Sequence, residues 1–295
     1  MIRTEITNIG DPQVLLWEGK YYCYATSSDE GFYCWSSDDL IHWSEPVLCF
    51  RAIDFWGEAQ FWAPEVVAHK GKFLMHYTAR SRDLQSLRIG VAVADHPMGP
   101  FTDVHGKPMF DCGYAAIDGS VLVCEAGNYF YFSKDCSENI VDEYHTSQIF
   151  CARMNDDLTE LVEEPTLMTT PTEPWELPKE GDFRWNEGPC VMVRDGRYIM
   201  NYSANFFASL EYSVCIATAD DPKGPWIKSV HNPVLSCRED LFGAGHNAFF
   251  TDRDGILRTS FHVLTDPAHP SGDRRFMIGT VTFGEQDGQI FQTIE

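Results

Sequence analysis

Five segments of similar pattern recur along this chain of 295 residues. Each consists of two runs of apolar residues joined by a turn with a glycine, a pattern typical of a β-hairpin. The first reads VLLWEGKYYCYATS and the fourth reads PCVMVRDGRYIMNYSAN. The chain therefore has room for five repeats of one structural unit. The turn glycines lie about 59 residues apart on average: Gly19, Gly71, Gly127, Gly196 and Gly255.

A third apolar run follows each hairpin and begins near residues 31, 87, 147, 212 and 275. A further turn, often with Gly-Pro and an aromatic residue, then leads to a fourth strand. Four antiparallel strands in each of five units, with no long helical periodicity, predict an all-β fold, a five-bladed β-propeller. Residues 1–295 are then a single domain. A sandwich of two sheets is the alternative.

The longest interval between turn glycines contains the segment 166–183, which is rich in Pro, Thr and Glu. Such a composition is typical of a surface loop. We expect this segment to be a loop at a blade edge, from which Trp175 can reach a ligand.

The formal net charge of −22 argues against two classes of partner. Phosphate backbones and anionic lipid surfaces would both be repelled, so we expect no nucleic acid and no membrane as partners. A neutral ligand is the more natural expectation. The sequence leaves the oligomeric state open, and a homo-oligomer is compatible with it.

The compartment is predicted from the start of the chain and from its ten cysteines. The segment MIRTEITNIG lacks the apolar core of a signal peptide, and no apolar run approaches the roughly 18 residues of a membrane helix. Several cysteines lie in strand-like apolar runs, where a free thiol behaves as a small hydrophobe. We therefore expect a cytoplasmic protein. Neither C-x-x-C nor H-x₃-H spacing occurs, which argues against a structural zinc site.

An ionisable residue stands close to the start of each hairpin. In a propeller the first strand of every blade runs beside the central axis, so residues at these positions converge on one end of the channel. Taken singly, Asp-Pro and Asp-Gly are common turn dipeptides. Their repetition in phase along five hairpins instead indicates one shared site. The residues are Asp11, Glu65, Asp118, Glu187 and His246.

Carboxylates that share one pocket cannot all stay ionised, so their pKa values are pushed apart. Glycoside hydrolysis requires this division, because one carboxylic acid protonates the leaving oxygen while a carboxylate activates water. The aromatic residues Phe61, Trp62 and Trp185 lie near the same positions and suit the apolar faces of sugar rings. Core packing is the alternative for these three side chains.

At these residues the chain resembles the family 43 glycoside hydrolases, five-bladed propellers that act on plant-wall pentose polymers. The resemblance covers essentially the whole chain through GDPQV, FWAPEVV, AIDGSVLV, NEGPCVMVRDGRYIMNYSAN and GAGHNAFF. It implies an inverting mechanism with Asp11 as general base and Glu187 as general acid. Asp118 would raise the pKa of the acid and orient it. The chain departs from the family where Gly119 stands in place of a common proline and Glu65 in place of a common aspartate.

The resemblance also implies a ligand set around the acids. A hydrated calcium ion on the channel axis would be held through His246 and water. Arg274, or failing that Arg275, would bind a sugar hydroxyl. Calcium prefers oxygen ligands, so water must supply most of its coordination beside a lone imidazole.

The expected activity is that of an exo-acting β-xylosidase or α-L-arabinofuranosidase on short oligosaccharides, in hemicellulose degradation. An arabinanase acting on α-1,5-arabinan would use the same three acids. A propeller that binds carbohydrate without turnover is the alternative of another class. Inversion further predicts that the Asp11 and Glu187 carboxyl groups lie about 6.5–9.5 Å apart, whereas about 5 Å is typical of retention.

Overall fold

The computed structural model describes residues 1–177, 181–238 and 240–295. These residues form twenty-one strands and two short 3-10 helices, Cys136–Glu138 and Pro174–Glu176, and they include no α-helix. The predicted all-β fold is confirmed. No helix in the described ranges is long and apolar enough to cross a bilayer.

Strand pairing joins the described strands into three sheets, and along the chain these fall into five units of consecutive antiparallel strands, which we call blades I to V. Blade I contains β1 (Ile2–Trp17), β2 (Lys20–Ser28), β3 (Gly31–Ser37) and β4 (Val47–Arg51). Blade II contains β5 (Gly57–His69), β6 (Lys72–Ser81), β7 (Leu87–Ala94) and β8 (Thr102–Asp103). Blade III contains β9 (Ala116–Cys124), β10 (Gly127–Lys134), the short β11 (Ile140–Val141), β12 (Tyr144–Arg153) and β13 (Thr166–Thr169).

The last two blades follow the same plan. Blade IV contains β14 (Phe183–Arg194), β15 (Arg197–Ala204), β16 (Ser213–Ala219) and β17 (Ile227–Lys228). Blade V contains β18 (Gly245–Thr251), β19 (Leu257–Leu264), β20 (Arg274–Gln286) and β21 (Gln289–Ile294).

Strand β1 closes the ring. Its first half pairs with β20 of blade V, with Ile2 opposite Ile278. Its second half pairs with β2 of blade I, with Val14 opposite Cys23. The first and last blades are therefore joined by hydrogen bonds of one continuous strand.

Each pair of adjacent blades encloses its own hydrophobic cluster. Tyr131 of blade III and Tyr202 of blade IV, for example, are both fully buried in the cluster between their blades. Burial of such side chains fixes each blade against its neighbours. The other four clusters are represented by Phe32 with Tyr77, Ile89 with Phe132, Val214 with Phe261, and Tyr21 with Phe276.

The first strand of every blade carries an irregularity of register at the same place. A residue with positive φ lies at each of these bulges. A bulge re-aims the side chains around it, which is a common device beside active sites. The five residues are Asp11, Ala63, Asp118, Gly188 and His246.

These bulges correct the expectation that all five ionisable residues are in phase. Asp11, Asp118 and His246 occupy the bulge itself. Glu187 lies one residue before the bulge of blade IV, and Glu65 lies two residues after that of blade II.

The segment predicted as one surface loop is partly ordered into the blade. Thr166–Thr169 forms β13, which pairs with β12. Trp175 packs against the hydrophobic cluster between blades III and IV, so it does not reach a ligand as expected. Residues 178–180 of this segment lie outside the described residues.

Candidate active site

A cavity of about 590 Å³ contains all three predicted catalytic carboxylates. Blades I, III and IV supply Asp11, Asp118 and Glu187 to its wall from the bulges of their first strands. The volume lies in the range of sites that enclose small-molecule ligands. The structure therefore gathers the three residues into one pocket, as the sequence predicts.

Asp11 is held by side chains from three strands. Its Oδ2 accepts a hydrogen bond from the Thr26 hydroxyl at 2.5 Å, and its Oδ1 lies 3.2 Å from Arg274 Nη1. His246 Nδ1 also lies 3.2 Å from Oδ1. Burial alone would raise the pKa of Asp11, but His246, Arg274 and the Thr26 hydrogen bond outweigh it and lower this pKa far below its usual range.

His262 orients the backbone of Asp11. The Asp11 N–H donates to His262 Nδ1 at 3.1 Å, so this nitrogen carries no proton. Burial, together with the nearby Arg274, holds the pKa of His262 well below its usual range. His262 is therefore a neutral acceptor, although its Nδ1 also lies 3.6 Å from the Asp11 carboxylate.

Asp118 is 7% exposed and bridges two blades. Its Oδ2 accepts hydrogen bonds from the Gly188 N–H at 3.1 Å and from the Ser133 hydroxyl at 3.2 Å. Because Gly188 follows Glu187, this contact ties Asp118 to the backbone next to the predicted acid. Burial raises the pKa of Asp118 to about 6, and the charge of Asp11 adds to that increase.

Glu187 is 9% exposed and has Tyr212 as its hydrogen-bond donor, with the hydroxyl 2.9 Å from Oε1. Burial raises the pKa of Glu187 well above its usual range, and the charge of Asp118 raises it further. The Tyr212 hydrogen bond acts in the opposite direction because it stabilises the carboxylate. Glu187 is thus set to hold a proton while Asp11 stays ionised, which is the pairing that acid–base catalysis needs.

The predicted substrate-binding residues separate into two groups. Trp62, Trp185 and Arg274 line the cavity, while Arg275 points away and donates to the Thr4 carbonyl at 2.8 Å. Phe61 is not among the residues that line it. Phe61 is 3% exposed and packs into the cluster between blades I and II, where it stacks on Phe55. Its placement is the core-packing alternative.

His246 lines both the cavity of about 590 Å³ that holds the three acids, here called the active cavity, and a second cavity of about 20 Å³ on the channel axis. That volume is room for about one water molecule. Its polar lining is rich in oxygen donors, including Asp11, Glu65, Asp118 and Ser120, which suit a hard cation. No group of three His, Cys, Asp or Glu side chains in the described part of the chain is arranged to hold a metal directly. These residues fit a cation only through bridging water.

Several residues of the site could not be identified from the sequence alone. Thr26 and Tyr212 contact the two reacting carboxylates, yet both lie in ordinary apolar strand segments without a distinguishing pattern. Asp135 lines the cavity and caps the 3-10 helix Cys136–Glu138 through Ser137 N–H at 3.0 Å. Its position after a strand, just before a Cys-Ser-Glu turn, is the one local signal that could have indicated it.

A family model described as glycosyl hydrolases family 43 matches residues 6–289 of the chain. A xylosidase/arabinosidase of Bacteroides ovatus is 26% identical over 255 residues, which cover 74% of this chain and 76% of that protein.

Two solved structures are similar over nearly the whole chain. A thermostable family-43 glycoside hydrolase superposes with a TM-score of 0.93 at 40% identity, covering 100% of this chain and 96% of its own. An endo-1,4-β-xylanase from Bacteroides thetaiotaomicron superposes with a TM-score of 0.83 at 33% identity, covering 98% and 94%.

Proposed function

Because this chain belongs to family 43 of the glycosyl hydrolases, we propose that Asp11, Asp118 and Glu187 catalyse hydrolysis of a glycosidic bond with inversion. The observation that carries the proposal is the order of their pKa values within one cavity. The pKa of Asp11 is lowered, that of Asp118 is about 6, and that of Glu187 is raised well above its usual range.

In the proposed mechanism the ionised Asp11 removes a proton from a water molecule that attacks the anomeric carbon. Arg274 and Thr26 hold the Asp11 carboxylate in place for this step. Glu187 donates its proton to the glycosidic oxygen as the bond to the leaving sugar breaks. Asp118 keeps Glu187 protonated through its charge and holds the Gly188 backbone beside it.

The proposed substrates are short plant-wall oligosaccharides from which the enzyme releases terminal xylose or arabinose. The names of the similar proteins, which include a xylosidase/arabinosidase, support this class. Trp62 and Trp185 would contact the sugar rings, and Arg274 would bind a hydroxyl near Asp11.

We also propose a calcium ion on the channel axis and a reducing compartment. The ion would be held near His246 and the axial oxygen donors through water, and it would supply rigidity and positive charge beneath the carboxylates. The compartment is supported by the ten cysteines, all of which are free thiols.

The substrate is tested by comparing 4-nitrophenyl β-xyloside, 4-nitrophenyl α-arabinofuranoside and debranched arabinan. Hydrolysis of one or both aryl glycosides, with arabinan untouched, is the expected result. Faster hydrolysis of arabinan would favour the arabinanase alternative. NMR of the first-formed sugar is expected to show the inverted anomer, and a retained anomer would overturn the assigned roles of Asp11 and Glu187.

A further inference from the structure

One wall of the active cavity is a continuous row of aromatic side chains from blade IV. Phe183 and Trp185 come from β14, while Phe206 and Phe207 come from the loop between β15 and β16. The ring centroids are 5.7 Å apart between Phe183 and Trp185, and 5.4 Å between Trp185 and Phe206. All four side chains line the cavity that holds the three acids.

One end of the row, at Phe183, shares strand β14 with Glu187. Phe183, Trp185 and Glu187 alternate along β14, so their side chains lie on the same side of the strand. Phe183 and Phe206 are each 42% exposed and so are accessible to a ligand. His145 stacks on Phe183 with centroids 4.7 Å apart and fixes this end of the row.

The other end of the row lies beside the predicted base. The guanidinium of Arg274 sits 4.8 Å from the Phe207 ring, and Arg274 in turn contacts Asp11. The aromatic row therefore spans the cavity from the attacking side to the side of the leaving group.

Several other cavity-lining residues are polar. They come from blades II and III and include Gln60, Arg80, Ser86, Ser137 and Glu138. An apolar surface combined with hydrogen-bonding groups matches a chain of sugar rings, whose faces are apolar and whose edges carry hydroxyl groups. The volume of about 590 Å³ is that of a site for a drug-sized ligand, which is larger than one pentose.

We propose that the outer part of this row, formed by Phe183, Trp185 and Phe206, binds at least two sugar units on the leaving-group side of Glu187, so that the enzyme is selective for oligosaccharides over disaccharides. Because Glu187 protonates the leaving oxygen, the leaving sugar must lie next to it, against Trp185. The following sugar then reaches Phe183 and Phe206 at the rim. This inference rests on the proposed function and specifies its substrate as a pentose chain.

The test compares a disaccharide with a tetrasaccharide of the β-1,4-xylose and α-1,5-arabinose series. For the wild type we expect a higher kcat/KM on the tetrasaccharide of the series that it hydrolyses. Phe183→Ala and Phe206→Ala should each lower kcat/KM on the tetrasaccharide by about two- to tenfold, the value of one aromatic contact. The loss on the disaccharide should be smaller, because its leaving sugar lies against Trp185 and no second sugar reaches the rim.

Two controls separate loss of a contact from loss of folding. Phe206→Tyr keeps the ring and should keep the preference for the tetrasaccharide. Trp17 is an aromatic residue of similar exposure that lies about 20 Å along β1 from Asp11. Trp17→Ala should leave the preference for the tetrasaccharide unchanged. Melting temperatures of all variants show whether the propeller is intact.

Different results would contradict the proposed hydrolase function and the proposed sugar-binding role of the aromatic row. A wild type that hydrolyses none of the oligosaccharides contradicts the proposed function itself. A wild type that hydrolyses both lengths equally well, or variants that lose activity equally on both, would overturn the aromatic row as a chain-binding surface while leaving the hydrolase intact.

Discussion

Replacing Asp118 by Asn should stabilise the fold while it impairs catalysis. Asparagine has the same shape, and its amide oxygen can accept the hydrogen bonds that Asp118 now accepts from Gly188 and Ser133. The substitution therefore removes a buried charge and keeps its contacts.

The gain in stability follows from the pKa of Asp118, which burial raises from 3.8 to about 6 in the folded protein. Between these two pH values the folded state binds a proton more tightly than the unfolded state, so the stability of the wild type falls as the pH rises. A difference of about two pKa units corresponds to about 3 kcal/mol. Asp118→Asn should gain up to this free energy of unfolding above pH 6 and nothing below pH 3.8.

The loss of activity follows from the charge that Asp118 places near Glu187. A like charge in the same buried pocket disfavours a second ionised carboxylate, so after burial the charge of Asp118 is the next largest cause of the raised pKa of Glu187. Without that charge Glu187 gives up its proton at lower pH. The alkaline limb of the pH–rate profile should therefore move to lower pH.

Urea unfolding at pH 3.5 and pH 7.5, together with the pH dependence of kcat/KM, measures both effects. Asp195→Asn, at an exposed turn of blade IV, is the matched control and should change neither. Equal gains in stability at both pH values would show that burial does not raise the pKa of Asp118. An alkaline limb that stays in place would show that the charge of Asp118 does not raise the pKa of Glu187.

Three further predictions concern the surroundings of the carboxylates. Tyr212→Phe removes a hydrogen bond that stabilises ionised Glu187, so the alkaline limb of the pH–rate profile should move to higher pH; a shift to lower pH would contradict this. Gly10→Ala would place a methyl group 2.0 Å from the Arg274 guanidinium and displace it from Asp11. Steady-state kinetics should show a KM raised about tenfold, the value of one charge-assisted hydrogen bond, and an unchanged KM would count against the role of Arg274. Chelation of calcium should lower the melting temperature by about 5 °C, reversibly, and lower activity with it; an unchanged melting temperature argues against the axial ion.

Strand positions were predictable because they follow from local patterns. The third strands of blades I and II, Gly31–Ser37 and Leu87–Ala94, coincide with the predicted apolar runs. Turn glycines and alternating apolar residues act over a few residues, so they can be recognised without knowledge of the fold.

Alternation along a strand explains why Phe61 and Trp62 have different surroundings. They are consecutive residues of β5, and consecutive side chains of a strand point to opposite faces. Trp62 lines the cavity of the three acids, whereas Phe61 packs into the core between blades I and II and lines only a neighbouring cavity of about 230 Å³.

Contacts between distant residues of the site could not be predicted. Asp11 meets His262 across 251 positions of sequence, and Asp118 meets Gly188 across 70. Tyr212 reaches Glu187 from the position just before β16 of the same blade. These partners depend on the closure of the ring and on the bulges that re-aim the inner strands, neither of which has a local sequence signal.

Glu187 is assigned to supply the proton to the leaving oxygen. Changing how much the leaving group of the substrate needs that proton tests this assignment most directly. We predict that Glu187→Ala loses at least a hundredfold in kcat/KM on an unactivated disaccharide, the usual contribution of a general acid. On a 2,4-dinitrophenyl glycoside, whose leaving group needs no proton, it should retain most of its activity. Equal losses on the two substrates, or no loss on either, would contradict the assignment.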